Sequence, residues 1–258
     1  MPQRFRDLFP LPQRIAYLGW YFLGKPCPVT LTMKTGQSLH MRRDSPTAND
    51  HDTAYEVFIS DFYRPEGSVH SEQELTIVDL GANVGYATMY FAYHFPRAHL
   101  YCFEPHPTSF GVLVDNLRRN SLLDRVTLYK AAASNTAGPQ FLTDDAVCST
   151  VVSNDGDRRF RVMQLDLFEC LRGLQVDILK MDIEGGEYSI LGDDRFRLLL
   201  PANIMMEWHS DNEHGDGKLW CVNRLESLGY QVTVRWDGGA FGAIAAAQPK
   251  DSLDASYS

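Results

Sequence analysis

Four carboxylates each close an apolar run: Asp79 after Thr76-Ile77-Val78, Glu104 after Leu100-Tyr101-Cys102-Phe103, Asp182 after Ile178-Leu179-Lys180-Met181, and Glu207 after Ile204-Met205-Met206. In an open α/β sheet, ligands bind beyond the carboxyl ends of the strands, where the strand order reverses. Carboxylates crowded there repel and raise one another's pKa, a cost that stability alone does not explain. Any single one could be a loop acid capping the next helix; four in succession point to a site. Beside the first stands Asp79-x-Gly81-x-Asn83-x-Gly85, whose glycines take backbone angles closed to other residues and let a ligand approach the main chain. The loop opens a helix N-terminus, where free N–H groups point outward. Glu104, about 20 residues beyond the loop, is placed to accept both hydroxyls of a ribose, as acids do in nucleotide-binding α/β folds. The run Lys180-Met181-Asp182-Ile183-Glu184-Gly185-Gly186-Glu187 combines an acid with a glycine pair, and Glu184 and Glu187 can favour the helix that follows it. His209, two residues past Glu207, titrates near neutrality and suits a general base.

The elements that must hold these residues alternate from Thr76 onward. Strands are predicted at Thr76–Leu80, His99–Phe103, Val126–Tyr129, Val176–Asp182 and Asn203–Glu207. Helices are predicted over Gly85–Phe95, Thr108–Arg119 and Lys218–Leu228, the last stopped by Gly229. This alternation is the pattern of a doubly wound, mostly parallel sheet. Gln231–Arg235 and Phe241–Ala247 are joined too closely for a crossover helix, so they form a terminal antiparallel hairpin. Between Ala132 and Gln164 the alternation lapses into an insertion of short strands, with Gln140–Leu142 and Arg161–Gln164 the best candidates. Residues 1–70 form an N-terminal extension: a helix confined to about Gln13–Leu23 by prolines, a small hairpin around Lys34-Thr35-Gly36-Gln37, and a lead-in helix over Thr53–Tyr63. Residues 71–248 form the main domain, and 249–258 read as a disordered tail.

The chain has 258 residues, 44% of them hydrophobic, enough for one three-layer core with a modest extension. A net charge of −9 without a basic stripe argues against a nucleic-acid partner. Five scattered cysteines without metal-ligand spacing suit a reducing cytoplasm. The apolar run Ile15–Gly24 is too short to span a bilayer, so no transmembrane segment is expected; its Trp20, Tyr21 and Phe22 face a membrane surface, the domain or a partner subunit. A homo-oligomer formed through this extension is among the expectations. A dinucleotide-binding fold is disfavoured, because its fingerprint needs glycines where Asn83 and Tyr86 stand.

The glycine loop resembles the first motif of class I S-adenosylmethionine (SAM) methyltransferases. Taken with Phe103-Glu104-Pro105-His106-Pro107 and Asn116, Leu165-Asp166, Leu179 to Glu187, and Glu207-Trp208-His209, the chain resembles the FkbM family of those enzymes over about residues 50–247. The resemblance implies a Rossmann-like seven-stranded sheet and methyl transfer to a hydroxyl on a sugar, glycan or other small natural product. Metal-assisted or N-directed transfer, and a SAM-binding module without catalysis, are the alternatives. It further implies a cofactor site at Asp79, Gly81, Asn83, Gly85, Glu104 and Asp166, with His209 as base and Asp182 orienting the acceptor. Some relatives in the wider group hold a divalent metal at places matching Asp182 and Glu207. The family usually has Ala where Gly186 stands.

Overall fold

The computed structural model describes residues 9–23, 30–42, 50–58, 60, 62–66, 69–143, 151–152, 159–211 and 213–249. The expected tail from residue 250 lies outside these, as do the side chains of Trp20, Tyr21 and Phe22. No helix among the described residues is long and apolar enough to cross a membrane.

In chain order, the lead-in supplies α1 (Leu11–Leu23), the hairpin β1 (Thr30–Thr32) and β2 (Ser38–His40), and α2 (Asp50–Phe58). The main body continues with β3 (Thr76–Leu80), α3 (Tyr86–His94), β4 (His99–Phe103), α4 (Pro107–Arg119) and β5 (Val126–Tyr129). An insertion follows, β6 (Ala132–Ser134), β7 (Gly138–Thr143), β8 (Val151–Val152) and β9 (Arg159–Asp166), then the short helix α5 (Leu167–Cys170). The chain returns through β10 (Ile178–Met181), α6 (Glu187–Gly192), α7 (Phe196–Leu199), β11 (Asn203–His209), α8 (Gly217–Ser227), β12 (Gln231–Asp237) and β13 (Phe241–Ala247).

The main sheet has seven strands in the order β12-β13-β11-β10-β3-β4-β5. All are parallel except β13, which runs against both its neighbours. The strand order reverses between β3 and β10, which places the ends of β3, β4, β10 and β11 around one crevice. Strands buried on both faces read as continuous apolar runs, and β10 (Ile-Leu-Lys-Met) and β3 (Thr-Ile-Val-Asp-Leu) obey this but for one lysine and one aspartate. Those two exceptions stand opposite each other, Lys180 against Asp79. Each compensates the other's burial, with Nζ 3.4 Å from Oδ1.

The lead-in packs as part of the main core. Leu31 and Leu39 of the hairpin and Ala54, Val57 and Phe58 of α2 join one apolar cluster with Ile77, Met89 and Phe91. Asn116, fully buried on α4, receives the His40 N–H at 2.8 Å and donates to the Val84 carbonyl at 2.8 Å, so one side chain ties the hairpin to the glycine loop. Arg235 on β12 donates to the Phe62 carbonyl at 2.6 Å and to Glu66 at 2.9 Å, fastening the segment after α2 to the far sheet edge.

Several elements differ from the local reading: β10 is confined to Ile178–Met181 within the predicted Val176–Asp182, and β12 runs two residues past Arg235 to Asp237. The lead-in helix begins three residues earlier than Thr53 and stops at Phe58, which leaves Phe62 and Tyr63 on the connecting segment. β11 runs two residues past Glu207, because β13 pairs with it as far as His209 opposite Phe241. The insertion is a four-stranded sheet, order β6-β9-β7-β8, larger than two short strands.

Candidate active site

The turn from β3 into α3 is held in a conformation that few residues allow. Gly81, Asn83 and Gly85 all have positive φ, at 76°, 49° and 90°. A Cβ on Gly81 would come within 1.8 Å of the Asp182 carbonyl oxygen and 3.0 Å of its carbon, so the loops after β3 and β10 touch main chain to main chain. A Cβ on Gly85 would meet Leu113 at 2.6 Å; this glycine lets the start of α3 pack on α4. The Gly81 and Ala82 N–H groups both donate to the Phe103 carbonyl at 3.0 Å, and Lys180 Nζ donates to the Gly81 carbonyl at 2.7 Å. Asp79 is fully buried beneath the loop, accepting from the Thr88 hydroxyl at 2.6 Å while facing Lys180.

Glu104 stands just past the end of β4. Its two oxygens accept from the Asn83 and His106 N–H groups, each at 2.7 Å. Burial raises its pKa to about 7 against the pull of those two donors. The Asn83 side chain in turn accepts from Arg42 at 3.3 Å. The Arg42 side chain is only 7% exposed, pairs with Asp50 at 2.6 Å and donates to Ser109 at 2.9 Å.

Across the cavity lies a cluster of acids around one lysine and one histidine. Donor atoms of Asp182, Glu207 and His209 come within 4.8 Å of one another. Lys180 Nζ is 3.6 Å from Asp182 and lies over the Tyr63 ring at 5.5 Å, and the Tyr63 hydroxyl donates to Glu207 at 3.2 Å. Burial pushes Glu207 up to about 9, reinforced by Asp182 and Glu56; Glu56 itself rises to about 7 by burial and the nearby Asp182. Asp182 is raised by burial, with Lys180 opposing.

The neutral imidazole expected at His209 is not what the fold builds. Nε2 lies 3.2 Å from Glu184, and Nδ1 lies 3.2 Å from the buried Glu187. Burial opposes the charge, but hydrogen bonds to the two glutamates outweigh it and lift the pKa to about 11. His209 is a proton-holding imidazolium at neutral pH, with both nitrogens engaged. Glu187 opens α6 as expected and accepts from the Ile183 N–H at 3.2 Å, and both glutamates act on this ring as well.

A cavity of about 720 Å3 joins the two groups. Gly81, Asn83, Glu104, Asp182 and His209 line it. Asp79, Gly85 and Glu207 are not on its wall and act from behind it. Asp166, expected at the cofactor, is not brought to the cavity either: it caps α5 through the Phe168 and Glu169 N–H groups and pairs with Arg195 at 2.8 Å. Sequence reasoning missed Arg42, Ser109, Glu56 and Tyr63, whose roles depend on contacts across the whole chain. Lys180 carried a signal, a charge inside an apolar strand, which calls for a buried partner.

Residues 79–232 match the model of the methyltransferase FkbM domain family. The chain is 29% identical over 211 residues to the methyltransferase sdnD of Sordaria araneosa, covering 66% of this chain and 80% of that one. It is 26% identical over 200 residues to the 2-O-methyltransferase NoeI of Sinorhizobium fredii, covering 69% and 81%. Its fold is similar to that of methyltransferase FkbM from Methylobacillus flagellatus, with TM-score 0.54 at 18% identity over 73% of this chain and 47% of that one. Precorrin-6y C5,15-methyltransferase from Geobacter metallireducens superposes with TM-score 0.50 at 15% identity, over 81% and 94%. The seven-stranded sheet is thus a class I methyltransferase sheet, and the chain is a methyltransferase that belongs to the FkbM family.

Proposed function

We propose that this methyltransferase takes its methyl group from SAM and delivers it to a hydroxyl of a sugar, glycan or related small natural product. The observation that carries the reading is Glu104. Its carboxylate is fixed by two backbone N–H groups beside the glycine loop, with lone pairs left to accept the two ribose hydroxyls. Gly81 and Asn83 line the amino-acid end of the same site; Asp79 and Gly85 hold the loop from behind. Bound SAM supplies a methyl group already activated on a sulfonium sulfur. What remains for the chain is to align a hydroxyl with that group and remove its proton. Asp182 is the base on this reading. It lines the cavity and is raised toward a more basic carboxylate by burial, whereas both nitrogens of His209 face carboxylates. Hydroxyl as the acceptor atom is supported by the relative NoeI, a 2-O-methyltransferase.

Calorimetry is expected to give SAM and S-adenosylhomocysteine affinities in the micromolar range and no NAD binding. Glu104→Ala removes two charge-assisted hydrogen bonds, worth ~1.5–3 kcal/mol each, so SAM affinity falls at least about tenfold while the fold persists. Because the free carboxyl titrates at about 7 and only its ionised form accepts both hydroxyls, affinity is full above that pH and declines as pH falls through it. Glu104→Gln flattens that dependence. Unchanged affinity in Glu104→Ala would remove this residue from the site.

A second reading is favoured by one observation, the convergence of Asp182, Glu207 and His209. The two carboxylates are oxygen donors a divalent cation accepts, while His209, held by Glu184 and Glu187, would have to give up a proton to join them. Glu207 is raised by burial and then by the nearby Asp182, a charge that a cation would offset. Asp182 and Glu207 would hold the ion, which would lower the acceptor hydroxyl's pKa. On this reading a chelator abolishes turnover and added Mg2+ restores it; full activity in chelator rejects it.

A further inference from the structure

The last hairpin contains a register shift that re-aims one large side chain. Val234 stands opposite Ile244 and Trp236 opposite Ala243, so Arg235 is an extra residue on β12. A one-residue bulge moves every later side chain to the other face of the sheet. Without it, Trp236 would stand opposite Gly242, in the row of Trp208, which is fully buried on the far face. With it, Trp236 shares a row with Ala243 and Glu207, and Phe241 occupies the adjoining row with His209 on the same face.

The result is an ordered aromatic surface beside the acidic cluster. Trp236 and Phe241 meet edge to face, with centroids 4.9 Å apart at 66°, and Phe62 flanks Trp236 at 6.4 Å. Phe241 lies parallel to the His209 ring at 6.2 Å and 10°, and His209 is part of the cavity wall. A Cβ on Gly238 would come within 2.5 Å of the indole, so the turn is thinned to seat it. Despite this support, Trp236 is 41% and Phe241 44% exposed. Exposed aromatic area at the rim of a polar cavity marks a binding surface.

The charge around it selects the occupant. Asp182, Glu184 and Asp211 line the cavity wall with His209, and Glu187 and Glu207 stand behind it, so carboxyl groups outnumber the two cations of the cluster, Lys180 and His209. Carboxylates repel phosphate and carboxylate groups, which disfavours an anionic acceptor or an anionic membrane surface. They accept readily from hydroxyls. A neutral sugar ring meets both demands, with a C–H face for the aromatic rings and hydroxyls for the carboxylates.

We propose that Trp236 and Phe241 form the acceptor platform of this enzyme, stacking against a neutral pyranose whose hydroxyl enters the cavity lined by Asp182 and His209. The proposal rests on the hydroxyl-directed reading above. The test uses the full chain loaded with S-adenosylhomocysteine on an array of neutral and anionic oligosaccharides. Wild type is expected to retain neutral glycans. Trp236→Ala and Phe241→Leu lose about tenfold or more of that binding, and Trp236→Phe keeps most of it. Leu198→Ala, which trims an exposed apolar side chain on α7, leaves binding unchanged. With a retained glycan as acceptor, KM rises in Trp236→Ala while kcat changes little. Calorimetry of S-adenosylhomocysteine separates the two readings. If wild type does not bind it, the methyl-donor reading fails. If it binds equally to all variants but no neutral glycan is retained, or Trp236→Ala retains glycans as wild type does, the platform is refuted. A dimer in sedimentation that Trp236→Ala converts to monomer would instead assign the patch to a second copy and overturn the proposal.

Discussion

Gly81→Ala is expected to abolish methyl transfer, although it adds a single methyl group. The new Cβ would lie 1.8 Å from the Asp182 carbonyl oxygen, and that atom is main chain, with no rotamer to retreat into. The residue also sits at φ 76°, a region that costs a non-glycine residue roughly 1–2 kcal/mol. Relief requires the β3 and β10 loops to separate, which displaces the Asn83 N–H from Glu104 and moves Asp182. SAM affinity should fall by about 100-fold or more, equivalent to ~3 kcal/mol, and urea unfolding should show a loss of ~1–3 kcal/mol. Gly185→Ala is the control. It carries the same backbone penalty at φ 98° but has open space around its Cβ position. A Gly81→Ala protein with wild-type affinity would mean that the contact between the two loops has no part in binding.

Asp182→Asn is expected to reduce turnover by ~10²–10⁴-fold, the usual contribution of a general base, with SAM affinity nearly intact. His209→Gln is expected to cost less than ~10²-fold, because an imidazolium held between Glu184 and Glu187 orders the acids around it and takes no proton. The pH–rate profile distinguishes the two. At saturating SAM, where the Glu104 titration no longer limits the rate, loss of activity on acidification should follow the Asp182 carboxyl. No histidine limb should appear near neutrality, since the two glutamates raise the His209 pKa to about 11. A limb near neutrality that disappears in His209→Gln would return the base to the histidine.

The main strands were legible because their pattern is local. Thr76–Leu80, His99–Phe103, Val126–Tyr129 and Phe241–Ala247 are bounded as their apolar runs and turn residues predict. Where a boundary depends on a partner, local pattern fails. β11 continues through Trp208 and His209 because β13 supplies hydrogen bonds there. The same limit applies at the site. Gly81, Asn83, Glu104 and Asp182 announce themselves by type and spacing beside the loops they occupy. Arg42 reaches Asn83 across 41 residues and Tyr63 reaches Glu207 across 144, distances over which no periodicity carries information. His209 was expected to titrate near neutrality, and no local pattern shows that Glu184 and Glu187, on the loop after β10 and the first turn of α6, raise its pKa.

The glycine loop is tied from three directions before any ligand arrives: Lys180 holds the Gly81 carbonyl, Glu104 the Asn83 N–H, and Arg42 the Asn83 side chain. A loop with little freedom left has little to lose on capture. On the proposed reading, cofactor association is expected to be a diffusional encounter with a standing receptacle, its observed rate in stopped flow rising in proportion to concentration without a slow isomerisation. Discrimination between the methylated donor and its spent form then falls to how fast each one leaves.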